Sequence, residues 1–295
     1  MKKIGFIGVG IMGNPMAQNL LKAGYKMIAY DINADALDIV VAAGAEKGSS
    51  IREVIENCEI ILTMLPNSPD VEVVVLGEGG VLEAVKKGQI LIDMSSIAPL
   101  VSQKAAKELA AKGVEMLDAP VSGGQEKAEA GTLAFMVGGK QTVFDECKEI
   151  LDVMGGSVTL VGDIGAGETT KLVNQVIVAV NIAAVAEGLM LGKKAGVDPE
   201  KIFNAIKGGL AGSQCLVDKA PRMLEGRYDP GFKMKLHVKD LTNALETSRA
   251  LHAAMPLSAS VMEMMQSLLS EGKTEEDHGA LALFYEKVNG ISLKQ

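Results

Sequence analysis

Three polar side chains, Lys171, Asn174 and Gln175, stand near the head of the longest apolar stretch of the chain, Gly165 to Ala195. Their i, i+3, i+4 spacing puts them on one face of a helix. Three polar side chains at the head of an otherwise buried helix need partners or water, so chemistry could sit there. The trio is equally the pattern of a solvated first turn with a surface lysine, since lysine is seldom fully buried unless paired. Both readings stand on spacing alone.

A second candidate is Gly8-Val9-Gly10-Ile11-Met12-Gly13. An apolar run, Lys3 to Ile7, precedes it, and Asn14 to Ala23 follows with helical spacing. Met27 to Tyr30 reads as the next strand, with Asp31 at its end, 23 residues after Gly8. Strand, G-x-G-x-x-G, helix, strand and acid together form a dinucleotide fingerprint. Gly8 suits the tight turn, Gly10 a close approach of backbone to pyrophosphate, and Gly13 close helix–strand packing. Gly8, Gly10, Ile11, Met12 and Gly13 form the expected phosphate loop, aided by the helix N-terminus. Asp31 is placed to accept bonds from ribose hydroxyls. A third candidate is Ser122-Gly123-Gly124, read either as an ordinary turn or as an anion nest for a carboxylate.

Elements must hold these residues in place. Further apolar runs at Glu59–Leu65, Gln89–Met94, Val114–Ala119, Thr132–Val137 and Ser157–Val161 read as strands. Helical patterns at Asp35–Ala43, Arg52–Asn57, Val81–Lys86, Val101–Lys112 and Val143–Met154 separate most of them. Such alternation predicts a mostly parallel, doubly wound sheet covered on both faces. Ligands of such sheets sit at the carboxyl ends of the strands. After Asp163 only helical patterns remain: 165–195, 199–207, 213–225, 235–253, 257–270 and 274–289. The expected architecture is a Rossmann-type α/β domain at 1–163, an all-α domain at 164–295, and a long helix joining them. As one helix the apolar stretch would run for about 45 Å and be buried nearly all round.

Composition narrows the classes. With 48% hydrophobic and 22% charged residues the chain can build a sizeable core. A net charge of −8 without a Lys/Arg run argues against nucleic acid. Asn174, Gln175, Asn181 and Glu187 interrupt the apolar stretch, which argues against a membrane span. Cys58, Cys147 and Cys215 are far apart and odd in number, which suits reduced thiols in the cytoplasm. The apolar N-terminus reads as strand and glycine loop, not as a targeting segment. His237, His252 and His278 show no metal-ligand spacing, so no metal is expected. His237, close to Lys239-Asp240, is either a border of the active site or an ordinary helix-face histidine.

FIGVGIMGNPM, DAPVSGG, GAGETTKLVNQ and KMKLHVKDL, in that order, resemble the cofactor, substrate, catalytic and second-lysine motifs of the β-hydroxyacid dehydrogenases. The resemblance covers nearly the whole chain. It implies hydride transfer between a nicotinamide cofactor and a small semialdehyde or hydroxyacid, by a homo-dimer or homo-tetramer. It implies that Lys171 is the catalytic lysine, that Ser122, Gly123 and Gly124 grip the substrate carboxylate, and that Asn174 supplies a substrate amide. Ser96 and Lys239 match residues that touch the cofactor near its nicotinamide end, and Leu65 and Pro66 lie along its path. Two positions depart. Gln175 stands where many relatives carry a second asparagine, which bears on substrate fit. Ile32 stands where an arginine often follows the acid, so NAD(H) is expected in preference to NADP(H), with NADP(H) still open.

Overall fold

The computed structural model describes residues 2–294. Contacts divide the chain into two units, Met1–Lys171 and Leu172–Gln295, and the division falls within one helix. The first unit runs β1 (Ile4–Ile7), α1 (Gly13–Lys22), β2 (Met27–Tyr30), α2 (Ala34–Ala42), β3 (Glu46–Lys47), α3 (Ile51–Asn57) and β4 (Ile60–Thr63). It continues through α4 (Ser68–Val71, prolonged by a π-turn, Glu72–Leu76), α5 (Val81–Ala84), β5 (Ile90–Asp93), α6 (Pro99–Ala111) and β6 (Glu115–Asp118). Then come β7 (Val121–Ser122), α7 (Gly124–Glu129), β8 (Leu133–Gly138), α8 (Gln141–Met154), β9 (Gly155–Gly162) and the start of α9 (Ala166–Lys194).

The strands form one sheet in the order β3-β2-β1-β4-β5-β6-β8-β7, with β9 beside β8. From β3 to β6 every pair is parallel, and β8 runs antiparallel to β6 and β7. Strand residues point alternately to opposite faces. Ile4, Phe6, Ile60, Leu62, Ile90 and Ile92 therefore join one core and Ile7, Ile61 and Leu91 the other. Burial on both faces explains the continuous apolar runs in the sequence.

Register decides where the site residues fall. Ile7 pairs with Tyr30 and Thr63, Thr63 with Asp93, and Asp93 with Asp118. The carboxyl ends of β1, β2, β4, β5 and β6 thus align along one edge. The chain order reverses at β1, with β2 on one side and β4 on the other. That switch point is where ligands of open α/β sheets bind.

In the second unit, α10 (Pro199–Ile206), α11 (Gln214–Glu225), α12 (Met234–Ala250), α13 (Pro256–Ser270), a 3₁₀ turn (His278–Leu281) and α14 (Ala282–Asn289) follow the end of α9. Its core joins Ala179, Ile182, Ala186, Leu189 and Met190 of α9 to Leu216, Met223, Leu241 and Met265. The sequence predicts one helix over 274–289, but Asp277 caps a separate 3₁₀ turn there by accepting from the Gly279 amide. β3, β7, α4 and α7 also escape the sequence pattern, being too short to show periodicity. The expectation that α9 is buried nearly all round is corrected. Val173, Ile177 and Leu191 are exposed, because only one stripe of the helix meets the core.

Candidate active site

The glycine loop leaves β1 at the switch point. Gly8 has φ +91°, and a Cβ there would lie 2.4 Å from the Met64 carbonyl oxygen. A Cβ on Gly13 would lie 2.1 Å from the Gly8 carbonyl oxygen, so Gly13 is what lets α1 close on the turn. At Gly10 a Cβ would meet nothing within 4 Å. The protein gives no reason for the missing side chain at Gly10, whereas a closely held pyrophosphate does. The loop therefore fits a dinucleotide. Ile11 is exposed and Met12 half-buried beside it.

Asp31 completes this end. The Val9 amide donates to Oδ2 and the Asn33 amide to Oδ1, each at 2.7 Å. The carboxylate is fixed between the glycine loop and the start of α2, with lone pairs left for hydroxyl donors. A groove of about 650 Å³ opens against the loop, with Gly10, Ile11, Asn14, Asn33 and Asp35 in its wall. It flanks α1 and α2, and Leu65, Pro66, Ser96 and Ser122 lie outside its wall.

The loops after β4 and β5 share a buried polar network. The Leu65 amide donates to Ser95 Oγ at 2.9 Å, Ser95 Oγ donates to Asp93 Oδ1 at 2.5 Å, and Thr63 Oγ1 donates to the same oxygen at 2.7 Å. Burial pushes the Asp93 carboxyl above its usual range, against the pull of those hydroxyls and the Ser95 amide. Asp93 thus sets the spacing between Leu65-Pro66 and Ser95-Ser96, two segments assigned to the cofactor's path. The sequence marks Asp93-Met94-Ser95-Ser96 as a loop at a strand's carboxyl end but assigns Asp93 no role, although a lone acid ending an apolar strand was its signal.

Ser122 lies in β7, paired with Ala134 of β8. Gly123 and Gly124 follow with φ +143° and +70°, which L side chains rarely adopt. Four residues before Ser122, Asp118 ends β6 fully buried. Its Oδ1 accepts from the Gly165 amide and its Oδ2 from the Glu168 amide, both at 2.8 Å. Burial pushes this carboxyl up to about 6, against the pull of the Glu168 and Gly165 amides, and Asp93 adds to the rise. Glu168 Oε2 accepts from the Ile97 amide at 3.1 Å. The start of α9 is therefore tied to the same strand edge, and Lys171, 6% exposed, sits one turn further along it. Burial sets aside the reading of Lys171 as a surface lysine.

In the second unit, Asn174 Nδ2 donates to Gln175 Oε1 at 2.8 Å, and Gln175 Nε2 donates to Asp240 Oδ2. Lys239 Nζ lies 3.1 Å from Asp240 Oδ1. Asn174, Gln175, Asp240 and Lys239 thus form one chain of contacts, with Gln175 and Asp240 buried. His237 and His278 are not isolated, as their spacing suggested. Their Nδ1 atoms lie 2.8 Å apart, and His237 Nε2 lies 3.0 Å from the Gln175 carbonyl oxygen. That oxygen only accepts, so His237 carries a proton on Nε2, and one of the two facing Nδ1 atoms donates to the other. Asp277 brings the 3₁₀ turn into place by accepting from the Gly231, Phe232 and Gly279 amides and from Lys219. His252 is exposed and elsewhere. Among the described residues no group of three or more His, Cys, Asp or Glu could hold a metal.

The chain matches known proteins over nearly its whole length. Residues 3–162 match the family model for the NAD binding domain of 6-phosphogluconate dehydrogenase. Residues 165–285 match that for the NAD-binding of NADP-dependent 3-hydroxyisobutyrate dehydrogenase. The chain is 43% identical to the 2-hydroxy-3-oxopropionate reductase of Escherichia coli, over 95% of each chain. The chain belongs to the β-hydroxyacid dehydrogenase family. It is an NAD(P)-dependent oxidoreductase. It is also 40% identical to the 2-(hydroxymethyl)glutarate dehydrogenase of Eubacterium barkeri, over 99% of this chain and 97% of that one. The structure of a Mycobacterium tuberculosis 3-hydroxyisobutyrate dehydrogenase with L-serine superposes with a TM-score of 0.90 at 30% identity, covering 97% of this chain and 99% of that one.

Proposed function

We propose that this β-hydroxyacid dehydrogenase reduces tartronate semialdehyde (2-hydroxy-3-oxopropionate) to D-glycerate, with Lys171 as the general acid. The observation that carries the proposal is the buried Lys171, one turn beyond a helix start that Asp118 ties to the strand leading into Ser122-Gly123-Gly124. The bound dinucleotide supplies the hydride. Ser122 and the amides of Gly123 and Gly124 hold the substrate carboxylate. Lys171 stabilises the negative charge growing on the aldehyde oxygen and delivers the proton. Asn174 and Gln175 add amide contacts to the substrate, and Lys239 contacts the cofactor, with Asp240 steadying Gln175 and Lys239. The substrate assignment rests on the likeness to the Escherichia coli reductase.

NAD(H) is proposed as the preferred cofactor. The fixed Asp31 carboxylate repels a 2′-phosphate and bonds a free ribose hydroxyl. Ile32 is 94% exposed and offers no cation. Lys47 pairs with Asp38 at 2.7 Å, and Asn33 is occupied as the cap of α2. We also place the protein in the cytoplasm as a homo-dimer or homo-tetramer. Three free cysteines suit a reducing compartment, and the exposed Val173, Ile177, Leu191, Leu251 and Leu257 suit association.

The test is a panel of tartronate semialdehyde, methylmalonate semialdehyde and related small aldehydes with NADH and NADPH. Highest kcat/KM for tartronate semialdehyde with NADH supports the reading. Preference for methylmalonate semialdehyde assigns the 3-hydroxyisobutyrate reaction instead, a reading favoured by the second family model and the Mycobacterium tuberculosis structure. Equal or better efficiency with NADPH overturns the cofactor preference.

A further inference from the structure

Asp118 is built into a socket. A Cβ on Gly138 of β8 would lie 2.3 Å from its Oδ1, and a Cβ on Gly167 would lie 2.9 Å from its Oδ2 and 2.6 Å from its backbone oxygen. Two glycines, one on the neighbouring strand and one in the first turn of α9, thus let backbone close directly around the carboxylate. Inside that socket both carboxylate oxygens accept amides from the start of α9. An anion at a helix N-terminus satisfies donors that the helix cannot, and complements the helix dipole. This acceptor comes from β6, 47 and 50 residues away in sequence. The chain then continues through Ala119 and Pro120 into β7, which carries Ser122.

We infer that Asp118 is the positioning residue of the reaction: its carboxylate locks the first turn of α9 to the end of β6, four residues before Ser122 of β7, and so fixes Lys171 relative to the substrate-gripping turn. The inference rests on the assignment of Lys171 as the general acid and Ser122 as the carboxylate grip. Asp118 itself touches neither substrate nor cofactor in this scheme. The titratable residues packed around it are Asp93 on β5, Glu168 on α9, and Asp163 just before α9. Asp93 repels its charge, and Glu168 spends one oxygen on the Ile97 amide. Only the ionised Asp118 accepts at both oxygens without a proton in the way. As pH falls through about 6, protonation turns one oxygen into a hydroxyl that competes with its amide donor, so the turn shifts even though burial favours the neutral acid in the fold as a whole.

The decisive variant is Asp118→Asn, which keeps shape but turns an NH₂ group toward one of the two amides. Misplacing a catalytic group by about 1 Å costs on the order of 100-fold, so kcat should fall by about 10- to 100-fold. The dissociation constant for NADH should stay within about threefold, since the glycine loop and Asp31 are untouched. The acid limb of the wild-type kcat profile should be lost in the variant. Lys171→Met is measured alongside. If Lys171→Met abolishes turnover while Asp118→Asn keeps both kcat and the acid limb, the positioning role is overturned and the lysine assignment survives. If Lys171→Met keeps turnover, both fall. Should Asp118→Asn not fold, the wild-type enzyme decides. The amide resonances of Gly165 and Glu168 must titrate with the midpoint of the acid limb, and amides that do not move through it overturn the inference.

Discussion

Gly10 and Gly13 are three residues apart in one motif, yet the structure assigns them different duties, and Ala substitutions separate the two. At Gly13 the added methyl would lie 2.1 Å from the Gly8 carbonyl oxygen and 3.2 Å from the Phe6 ring. The first neighbour is backbone of a tight turn and cannot swing aside. Overpacking a rigid site costs about 1–3 kcal/mol, occasionally more, so Gly13→Ala should lose roughly 3 kcal/mol or more of unfolding free energy without cofactor. At Gly10 the methyl meets nothing within 4 Å, and the backbone lies outside the left-handed region. Gly→Ala at a compatible position stabilises by about 0.4–1 kcal/mol through the unfolded chain, so Gly10→Ala should be unchanged or slightly more stable. The cost appears on binding. A methyl standing where pyrophosphate must approach the backbone should weaken NADH by at least about tenfold, which is about 1.4 kcal/mol. Urea unfolding of both variants without cofactor and fluorescence titration with NADH make the measurement. The reasoning fails if Gly10→Ala destabilises the free protein as much as Gly13→Ala does, or if it binds NADH as tightly as the wild type.

The remaining predictions use other parts of the molecule. Lys171→Met should lower turnover by about 10²–10⁴-fold with little change in NADH affinity, whereas Lys239→Met should weaken both; steady-state kinetics with direct binding distinguishes them. Ser95→Ala orphans the Leu65 amide and removes a donor from Asp93, and should cost about 1.5–3 kcal/mol in urea unfolding. Asp118 has a folded pKa of about 6 against an ordinary 3.8, so between those values the folded chain holds a proton that the unfolded chain has released. Its contribution is therefore most favourable below pH 4 and is lost as pH rises through about 6, by up to about 3 kcal/mol; the stability difference between wild type and Asp118→Asn, followed against pH, should show that slope. Sedimentation at micromolar concentration should give a dimer or tetramer, and a monomeric mass would refute the association proposed from the exposed leucines and valines.

What the sequence made legible follows from the range of the physics involved. Short apolar runs and Gly-x-Gly-x-x-Gly are local patterns, so β1, α1, β2 and Asp31 could be placed residue by residue. The parallel strands read as continuous apolar runs because both faces are buried, and the register then aligns their ends without further information. The two-residue strands Glu46–Lys47 and Val121–Ser122 carry no periodicity and form only because a neighbour is present to pair with. The apolar stretch from Gly165 was legible as a helix, but its burial was overstated. Hydropathy reports how much apolar surface a helix carries and not how much of it the same chain covers. Val173, Ile177 and Leu191 are the residues where those quantities differ.

The candidate site divides along the same line. Lys171, Ser122 and Gly10 are legible because the chemistry they suggest belongs to one residue and its immediate neighbours. Asp118 is not, because its meaning lies in two amides 47 and 50 residues away. In sequence it opens the DAPVSGG motif with no role of its own, an acid at the end of a strand like Asp31 and Asp93. The three have different fates because of what faces them. Asp31 is half-buried with lone pairs to spare, Asp93 takes three donors on one oxygen, and Asp118 is closed in by Gly138 and Gly167. His237 and His278 make the same point in the helical unit. Separated by 41 residues, they meet because Asp277 folds a 3₁₀ turn back against α12, which no spacing rule could announce. The groups that act on a ligand are thus written locally, and the groups that position them are written in the fold.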